Sequence, residues 1–192
     1  MNEGDEVVLV RHGETEWTRS GRHTGRTDIP LTERGREQAQ RIGRVLRDRR
    51  FALVLASPLS RALETCRLAG FGEHAELTDD LLEWDYGDYE GRRTDDIRVT
   101  RPRWSLWSDG VPGGETADDV AARVDRLVAR ARAAGGSVAL FAHAHVLRVL
   151  TARWLGLGPE GGGLFVMAPA AVSMLGYERE ASVIRRWNVD VG

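Results

Sequence analysis

The amino-acid sequence predicts an α/β fold, namely a three-layer α/β/α sandwich with a mostly parallel central sheet and an antiparallel edge strand. Two observations predict it. Short, continuously apolar runs are typical of strands covered on both faces, and they alternate along the chain with segments of helical periodicity. The 192 residues contain no internal repeat or linker, so we expect a single domain over residues 1–192.

The first predicted elements are a strand and a helix. "VVLV" at 7–10 is short, β-branched and wholly apolar, which predicts a buried strand. A helix is expected after Thr32, whose hydroxyl suits an N-cap. The residues that then recur at helical spacing are Ala39, Ile42, Gly43 and Leu46.

A second strand and helix follow. "ALVLA" at 52–56 predicts the strand. Ser57 and Pro58 come directly after it and are expected to be the N-cap and the first residue of the helix, since proline there lacks only a donor that the helix would not use. Arg61 would then lie in the opening turn of this helix.

The clearest helical pattern lies within residues 115–136. Thr116 and Asp119 predict its N-terminal cap, and Gly135 and Gly136 predict its end. Its apolar stripe consists of Val120, Val124, Leu127, Val128 and Ala131.

The last part of the chain predicts one more buried strand, at 137–142, and a helix from 146 to 155. "GPEGGG" at 158–163 is interpreted as a flexible connection. The tail, 164–180 and 181–188, predicts further strands at the edge of the sheet. These apolar edge strands offer an interface for a homodimer.

The composition limits the classes of partner and location. A formal net charge of −2 gives no reason to expect nucleic acid or an anionic membrane as a partner, and no apolar run approaches the length of about 20 residues that a membrane span needs. The N-terminus is acidic before its apolar run, unlike a secretory signal, and the single cysteine, Cys66, fits a reducing compartment. We therefore expect a cytoplasmic protein that binds neither nucleic acid nor a membrane.

Charged and titratable side chains follow the predicted strands. Arg11 and His12 come after the first strand, Arg61 after the second and His143 after "VALFA", while Glu83 stands in "LLEWDYGDYEG". Ligands of open α/β sheets bind outside the carboxyl ends of the strands, so these five groups are predicted to meet at one ligand. Taken singly, each has a structural alternative: a hydrogen bond to the backbone for the histidines, and an ion pair or simple exposure for the others.

The motifs "VRHGETEW", "GRTDIPLTERGREQA", "SPLSRALET", "EWDYGDYEG", "GGET" and "FAHAH" extend over nearly the whole chain. Together and in this order they resemble the histidine phosphatase superfamily, also called phosphoglycerate mutase-like. "GRHTGRTD", "RPRWSLWSDG" and "AHAHVLRVL" are most similar to its branch of sugar-bisphosphate phosphatases and broad acid phosphatases.

The resemblance implies a role for each of the five groups. His12 would be the nucleophile that forms a phosphohistidine, Arg11, Arg61 and His143 would bind the phosphate, and Glu83 would be the proton donor. The chemistry agrees, because a neutral imidazole attacks phosphorus and guanidiniums grip phosphoryl oxygens. Since these cations supply the electrostatic stabilisation, we expect no metal and no cofactor. Desolvation beside Trp84 and Tyr86 is expected to raise the pKa of Glu83, as a general acid needs.

Further residues are predicted to contact the substrate. The family's phosphate loop corresponds to the stretch with His23, Thr24 and Gly25, and two positions depart from the family pattern, with Thr18 in place of a common asparagine and Ala144 in place of a common glycine. His145 would contact the substrate or pack in the interior. The remaining candidates are Arg92 and Arg93.

Residues 90–116, which hold five arginines and the tryptophans Trp104 and Trp107, form either a lid that binds a second anionic group or a solvated face with aromatic anchors. We favour the lid, because loops over strand ends tend to carry specificity.

Three functions are compatible with these residues. The first is a metal-independent phosphomonoesterase that hydrolyses a small phosphorylated metabolite, such as a sugar phosphate. The second is a phosphoglycerate mutase-type phosphotransferase, although the chain lacks the insertion with which such mutases close the pocket against water. The third is a non-catalytic module that binds a phosphorylated ligand. The presence of all five groups favours the phosphatase.

Overall fold

The computed structural model describes residues 5–191. Within this range, six strands form one mixed sheet in the order β3-β2-β4-β1-β5-β6. The strands are β1 Val7–Arg11, β2 Leu53–Ala56, β3 Ala75–Leu77, β4 Val138–Ala142, β5 Val172–Glu178 and β6 Ala181–Val189. The pairs β3–β2, β2–β4 and β4–β1 are parallel, whereas β5 is antiparallel to both β1 and β6. The predicted mostly parallel sheet with an antiparallel edge is therefore confirmed.

Helices cover both faces of the sheet, which gives the three layers. They are α1 Glu16–Ser20, α2 Glu33–Leu46, α3 Ser60–Leu68, α4 Thr94–Thr100, α5 Leu106–Asp109, α6 Ala117–Ala133 and α7 Ala144–Trp154. Strand side chains alternate between faces. Val8 and Val10 pack with α2 and α3 in one core, while Val7 and Leu9 pack with α6 and α7 in the other. No helix of residues 5–191 has the length and apolar character to cross a membrane.

Two predicted helix starts were wrong. Ser57 is not an N-cap, because α3 begins at Ser60 with Leu59 before it, and the Ser60 amide donates to the side chain of Asp28 (2.9 Å). The Ser57 amide instead donates to the Phe141 carbonyl (2.9 Å), so that the chain still follows the sheet at this point. Helix α7 begins at Ala144, two residues before the predicted start.

The predicted flexible connection and the tail also differ from the structure. Pro159–Leu164 is a 3-10 helix, and a side chain added at Gly162 would lie 2.5 Å from the Trp107 ring. Glycine is needed here for close packing and not for flexibility. In the tail, residues 164–171 are not a strand, and β5 begins only at Val172.

The sheet register brings two of the predicted site residues together. Arg11 at the end of β1 is paired with Ala142 at the end of β4, and the His12 amide donates to the Ala142 carbonyl (3.0 Å). His143 is the next residue after Ala142, so both histidines leave the sheet side by side. Gly13 follows His12 in the chain. A Cβ atom at this position would lie 2.3 Å from the Gly35 carbonyl oxygen of α2, so only glycine fits here.

Candidate active site

His12 is held as a neutral imidazole with one unoccupied nitrogen. Its Nδ1 lies 2.8 Å from the Gly13 carbonyl, which can only accept, so Nδ1 carries the proton and Nε2 presents a lone pair. Burial, together with the positive charges of Arg61 and Arg11, lowers the pKa of His12 well below its usual value. The side chain therefore has the protonation state that a nucleophile requires.

His143 lies directly beside His12, with the ring centroids 5.1 Å apart. Its Nδ1 accepts from Arg61 Nε (3.1 Å), so its Nε2 carries the proton and donates to Ser57 Oγ (2.8 Å). Burial and Arg61 also lower the pKa of His143. Arg61 is itself fully buried, and its terminal nitrogens donate to backbone carbonyls. These carbonyls belong to Thr24, Gly25 and Thr27. Arg61 thus joins the loop after α1 to the histidine pair.

The Ser57 contact leads to a testable prediction. Ser57→Ala removes the acceptor of the His143 Nε2 proton and leaves a donor buried without a partner, which we expect to lower the free energy of unfolding by ~1–3 kcal/mol. Urea unfolding followed by circular dichroism measures this loss. The control is Ser108→Ala, which removes an exposed hydroxyl outside the cavity lining. This hydroxyl donates to the neighbouring Asp109 (2.8 Å) at the surface, where water can replace the lost bond. Equal stability of the Ser57 and Ser108 variants would contradict the prediction.

Glu83 is buried at the N-terminal end of α7. Its carboxylate accepts from the backbone amides of His145 (3.0 Å) and Val146 (2.9 Å) in the first turn of this helix, and from its neighbour Trp84 (3.0 Å). Burial opposes its ionisation, but the hydrogen bonds and charges around it, those of His145 foremost, lower the pKa of Glu83 well below its usual value. The expected raised pKa was therefore wrong, because a carboxylate that accepts several backbone amides at a helix N-terminus is stabilised as the anion.

Arg11 is a cation with unused hydrogen-bonding capacity. Its guanidinium donates to the Met167 carbonyl, while its buried Nε has no hydrogen-bond partner within residues 5–191. Burial lowers the pKa of Arg11 to about 10, so that the group stays charged at neutral pH. A buried donor of this kind requires an acceptor, and a bound anion can supply one.

These groups surround a cavity of about 190 Å³. It is lined by Arg11, His12, Thr18, Gly21, Arg22, His23, Thr24, Glu83, Tyr86, Ala144 and His145. Most of the predicted contact residues are thus in its wall. Arg61 and His143 are not among the lining residues: His143 packs against His12, and Arg61 donates to His143. Gly25 also lies outside the lining, and its amide donates to Glu90 (2.9 Å). The hydroxyl of Thr18 is bonded to the Thr15 backbone and caps α1.

Arg92 and Arg93 are not in the cavity wall, contrary to their prediction as substrate contacts. Arg93 is exposed and forms an ion pair with Asp96 (2.8 Å). Arg92 lies over the Tyr89 ring and donates to the Asp96 carbonyl (3.2 Å). Acidic and carbonyl acceptors within α4 therefore hold both guanidiniums on the outer side of the segment.

Three side chains of the site were not predicted from the sequence. Arg22 and Tyr86 line the cavity, and Ser57 orients His143. Arg22 lies in the motif "GRHTGRTD" and Tyr86 in "EWDYGDYEG". Their positions in these motifs are the sequence signal from which both could have been predicted as site residues. The sequence predicts Ser57 as a helix cap, and only its contact with His143 identifies it as a residue of the site.

The arrangement suits transfer of a phosphoryl group. A neutral imidazole with an unoccupied nitrogen, an adjacent guanidinium and a carboxylate line one cavity, which are the groups needed for attack, charge stabilisation and proton transfer. Within residues 5–191, no cluster of three or more histidine, cysteine, aspartate or glutamate side chains could hold a metal ion.

Known proteins are similar to this chain in sequence and in fold. The family described as "Histidine phosphatase superfamily (branch 1)" matches residues 7–190. An acid phosphatase of Mycobacterium tuberculosis is 40% identical over 176 residues, covering 90% of this chain and 86% of the relative. A sedoheptulose 1,7-bisphosphatase of Saccharomyces cerevisiae is 36% identical over 185 residues, covering 80% of this chain and 68% of the relative.

A solved structure is also similar to this chain in fold and sequence. The product of a Mycobacterium tuberculosis open reading frame superposes with a TM-score of 0.94 and 36% identity, covering 98% of this chain and 100% of the other. The family match spans nearly all of the described residues, including every element that contributes to the cavity. With its paired histidines at the ends of β1 and β4, the chain belongs to the histidine phosphatase superfamily.

Proposed function

We propose that the chain is a single-domain phosphomonoesterase that hydrolyses a small phosphorylated metabolite, a sugar phosphate, through a phosphohistidine intermediate. The observation that carries this proposal is the unoccupied Nε2 of a neutral His12 in the same cavity as the charged guanidinium of Arg11. The acid phosphatase and the sugar bisphosphatase among the relatives support the reaction and the class of substrate.

In the first step, His12 Nε2 attacks phosphorus, so that a P–N bond forms while the P–O bond to the leaving group breaks. Arg11 stabilises the charge on the phosphoryl oxygens. Arg61 adds positive potential from behind the histidine pair, since its own donors are engaged by the loop. The Gly13 carbonyl stabilises the positive imidazole that forms, because it accepts the Nδ1 proton.

Glu83 is the proton donor in this step and the base in the next. In the free protein it is ionised, but a phosphate dianion in the cavity places negative charge beside it and thereby raises its pKa. A proton is then taken up with the substrate and passes to the leaving oxygen. In the second step the resulting carboxylate removes a proton from water, which attacks phosphorus and releases inorganic phosphate and free His12.

Release of phosphate without a metal is the expected result of the central experiment. The purified protein, in excess EDTA, is incubated with a panel of ³²P-labelled sugar phosphates, and we expect label to appear as inorganic phosphate at the rate seen without chelator. Loss of activity that added Mg²⁺ restores would contradict the metal-independent reaction. Label in a second organic phosphate would favour the mutase, and tight binding without turnover would favour a non-catalytic module.

We propose a cytoplasmic location, which the single buried cysteine supports, and no role in nucleic-acid binding, which the net charge of −2 supports. Strand β6 is the outer strand of the sheet next to β5, and a homodimer through this edge stays a prediction. Analytical ultracentrifugation would decide between a monomer and a dimer.

A further inference from the structure

The proposed chemistry depends on the position of the Arg11 guanidinium. This group donates to the Met167 carbonyl, while its buried Nε has no hydrogen-bond partner within residues 5–191. The arginine side chain is long and flexible, so the direction of its charged end depends on the partners that hold it. The place of the Met167 carbonyl therefore decides where this cation meets a bound phosphate.

Met167 lies in an irregular segment between the 3-10 helix after α7 and β5. No strand ladder fixes the carbonyls of such a segment. Side chains of β6 instead bind the residues on either side of Met167. The Trp187 Nε1 donates to the Val166 carbonyl (2.8 Å), and the Ala168 amide donates to the Asn188 Oδ1 (2.7 Å). Met167 is thus held between two fixed points.

Trp187 and Asn188 bind the same segment although they are consecutive residues of a strand, whose side chains ordinarily point to opposite faces. A β-bulge explains this, because the register between β5 and β6 shifts so that these two residues stand opposite Ser173 alone. Asn188 has a φ of 51°, a left-handed conformation that asparagine adopts more readily than most residues. Its amide donates to the hydroxyl of the buried Ser173 (2.9 Å). We call Trp187 and Asn188 the β6 bulge.

The β6 bulge lies at the end of the sheet where Arg11 lies. Val10 of β1 is paired with Val172 of β5, which is paired in turn with Val189 of β6. Neither residue of the bulge belongs to the cavity lining. The bulge therefore holds the segment beside Arg11 without lining the cavity itself.

We propose that Trp187 and Asn188 are positioning residues for Arg11, which act on phosphate binding through the Met167 carbonyl. Without them this carbonyl moves, and the guanidinium leaves the place at which it pairs with phosphoryl oxygens. A displacement of about 1 Å is enough to weaken such a site severely. The inference rests on the proposed function, in which Arg11 binds the phosphate of the substrate and of the product.

Asn188→Gly is the central variant. It removes the acceptor of the Ala168 amide and keeps the backbone of the bulge, because glycine adopts a positive φ without strain. We expect the Kd of inorganic phosphate, measured by isothermal titration calorimetry, to rise at least about fivefold. An unchanged Kd would overturn the proposal.

Asn188→Asp is the rescue variant, since it retains an acceptor oxygen and tolerates the same backbone conformation. In about 0.3 M NaCl, which screens the added charge, we expect its Kd for phosphate to lie within about twofold of that of the unaltered protein. A loss of affinity as large as that of Asn188→Gly would show that the hydrogen bond to Ala168 has no such role.

Trp187→Phe tests the second fixed point. It removes the N–H group that donates to the Val166 carbonyl and keeps an aromatic ring beside Phe165, whose centroid is 5.1 Å from that of Trp187. We expect the Kd of phosphate to rise at least about threefold. Unchanged affinity would overturn the role of Trp187.

The matched control is Arg179→Gly. Arg179 is an exposed residue of the turn between β5 and β6, and its φ of 54° is also left-handed. This turn lies at the opposite end of the sheet from Arg11, because β5 begins beside the end of β1. We expect an unchanged Kd for phosphate. An equal rise in Arg179→Gly and Asn188→Gly would indicate general loosening of β6 and would overturn the proposal.

A double-mutant cycle shows whether the effect passes through Arg11. In the background of Arg11→Met, no guanidinium is left to position, so we expect Asn188→Gly to change kcat/KM for p-nitrophenyl phosphate by less than about twofold. In the unaltered background the same substitution should lower kcat/KM at least about fivefold. Equal losses in both backgrounds would contradict a role through Arg11.

A spectroscopic measurement tests the same step without turnover. The buried Nε–H of Arg11 gives a ¹⁵N–¹H signal that is assigned by its loss in Arg11→Met. We expect this signal to shift in Asn188→Gly and to keep its position in Arg179→Gly. An unshifted signal in Asn188→Gly would overturn the proposal.

Phosphate binding and turnover separate this inference from the proposed function. If the unaltered protein binds phosphate but hydrolyses no ester, the phosphatase function is wrong, and the Kd values of the variants still decide the role of the β6 bulge. If the unaltered protein neither binds phosphate nor hydrolyses any ester, the inference and the phosphatase function are overturned together.

Discussion

Replacing His12 by alanine is expected to reduce kcat for phosphate-ester hydrolysis by on the order of 10⁴-fold or more, since the proposed covalent route has no other nucleophile. His143 cannot substitute for it, because both of its ring nitrogens are already bonded, one to Arg61 and one to Ser57. Initial rates of phosphate release measure the effect. In the unaltered protein, rapid acid-free quenching with a labelled ester should trap label on histidine, and in the variant no label should remain.

The control for His12 is His74→Ala, which removes an exposed histidine in the 3-10 helix Gly72–His74, outside the lining of the cavity. Its turnover should equal that of the unaltered protein. Circular dichroism and thermal unfolding should show that the His12 variant is folded. A folded His12 variant that still hydrolyses esters at a tenth of the normal rate would contradict the proposed nucleophile.

Glu83→Gln is expected to lower kcat/KM by about 10²–10⁴-fold for esters with an alkoxide leaving group, because the amide cannot donate and recover a proton as the carboxyl group does. The loss should be smaller by at least about tenfold for p-nitrophenyl phosphate, whose leaving group is stable without protonation. A purely structural role for Glu83 would lower both rates equally. The ratio of the two losses therefore distinguishes acid–base chemistry from simple damage to the site.

The substitution also has a structural effect that must be controlled. Glu83 accepts from three backbone amides, and the Gln side-chain nitrogen would face one of them as a second donor. Thermal unfolding of Glu83→Gln should be compared with Glu73→Gln, which changes an exposed glutamate. Equal losses for both classes of ester in a folded Glu83 variant would contradict the proton-transfer role.

Much of the fold and of the site could be predicted because its signals are local. The apolar runs at β1 and β4 are read directly from the chain, and His12 and His143 follow them at once. In a parallel sheet the ends of neighbouring strands lie at one edge, so the meeting of these two histidines follows from topology. Thr116 and Gly135 similarly mark the ends of α6.

Two of the wrong predictions concern groups whose partners are distant in sequence, namely Ser57 and Glu83. Whether Ser57 caps a helix or accepts from His143, 86 residues away, depends on the packing of β2 against β4. The pKa of Glu83 was predicted from its apolar neighbours, but the hydrogen bonds and charges that folding brings to it, those of His145 foremost, lower this pKa. Burial alone would raise its pKa, and only the coordinates reveal the opposing hydrogen bonds.

The sequence by itself determined the α/β architecture, the family and the residue types that surround the cavity, because strand patterns and motifs are encoded in neighbouring residues. The tertiary structure alone decided which charges face the cavity. It placed Arg11 in the wall with an unsatisfied Nε, engaged Arg93 with Asp96 outside it, and set the neutral His145 against Tyr86. The physical reason is that the charge and direction of a flexible side chain depend on the partners that folding brings to it.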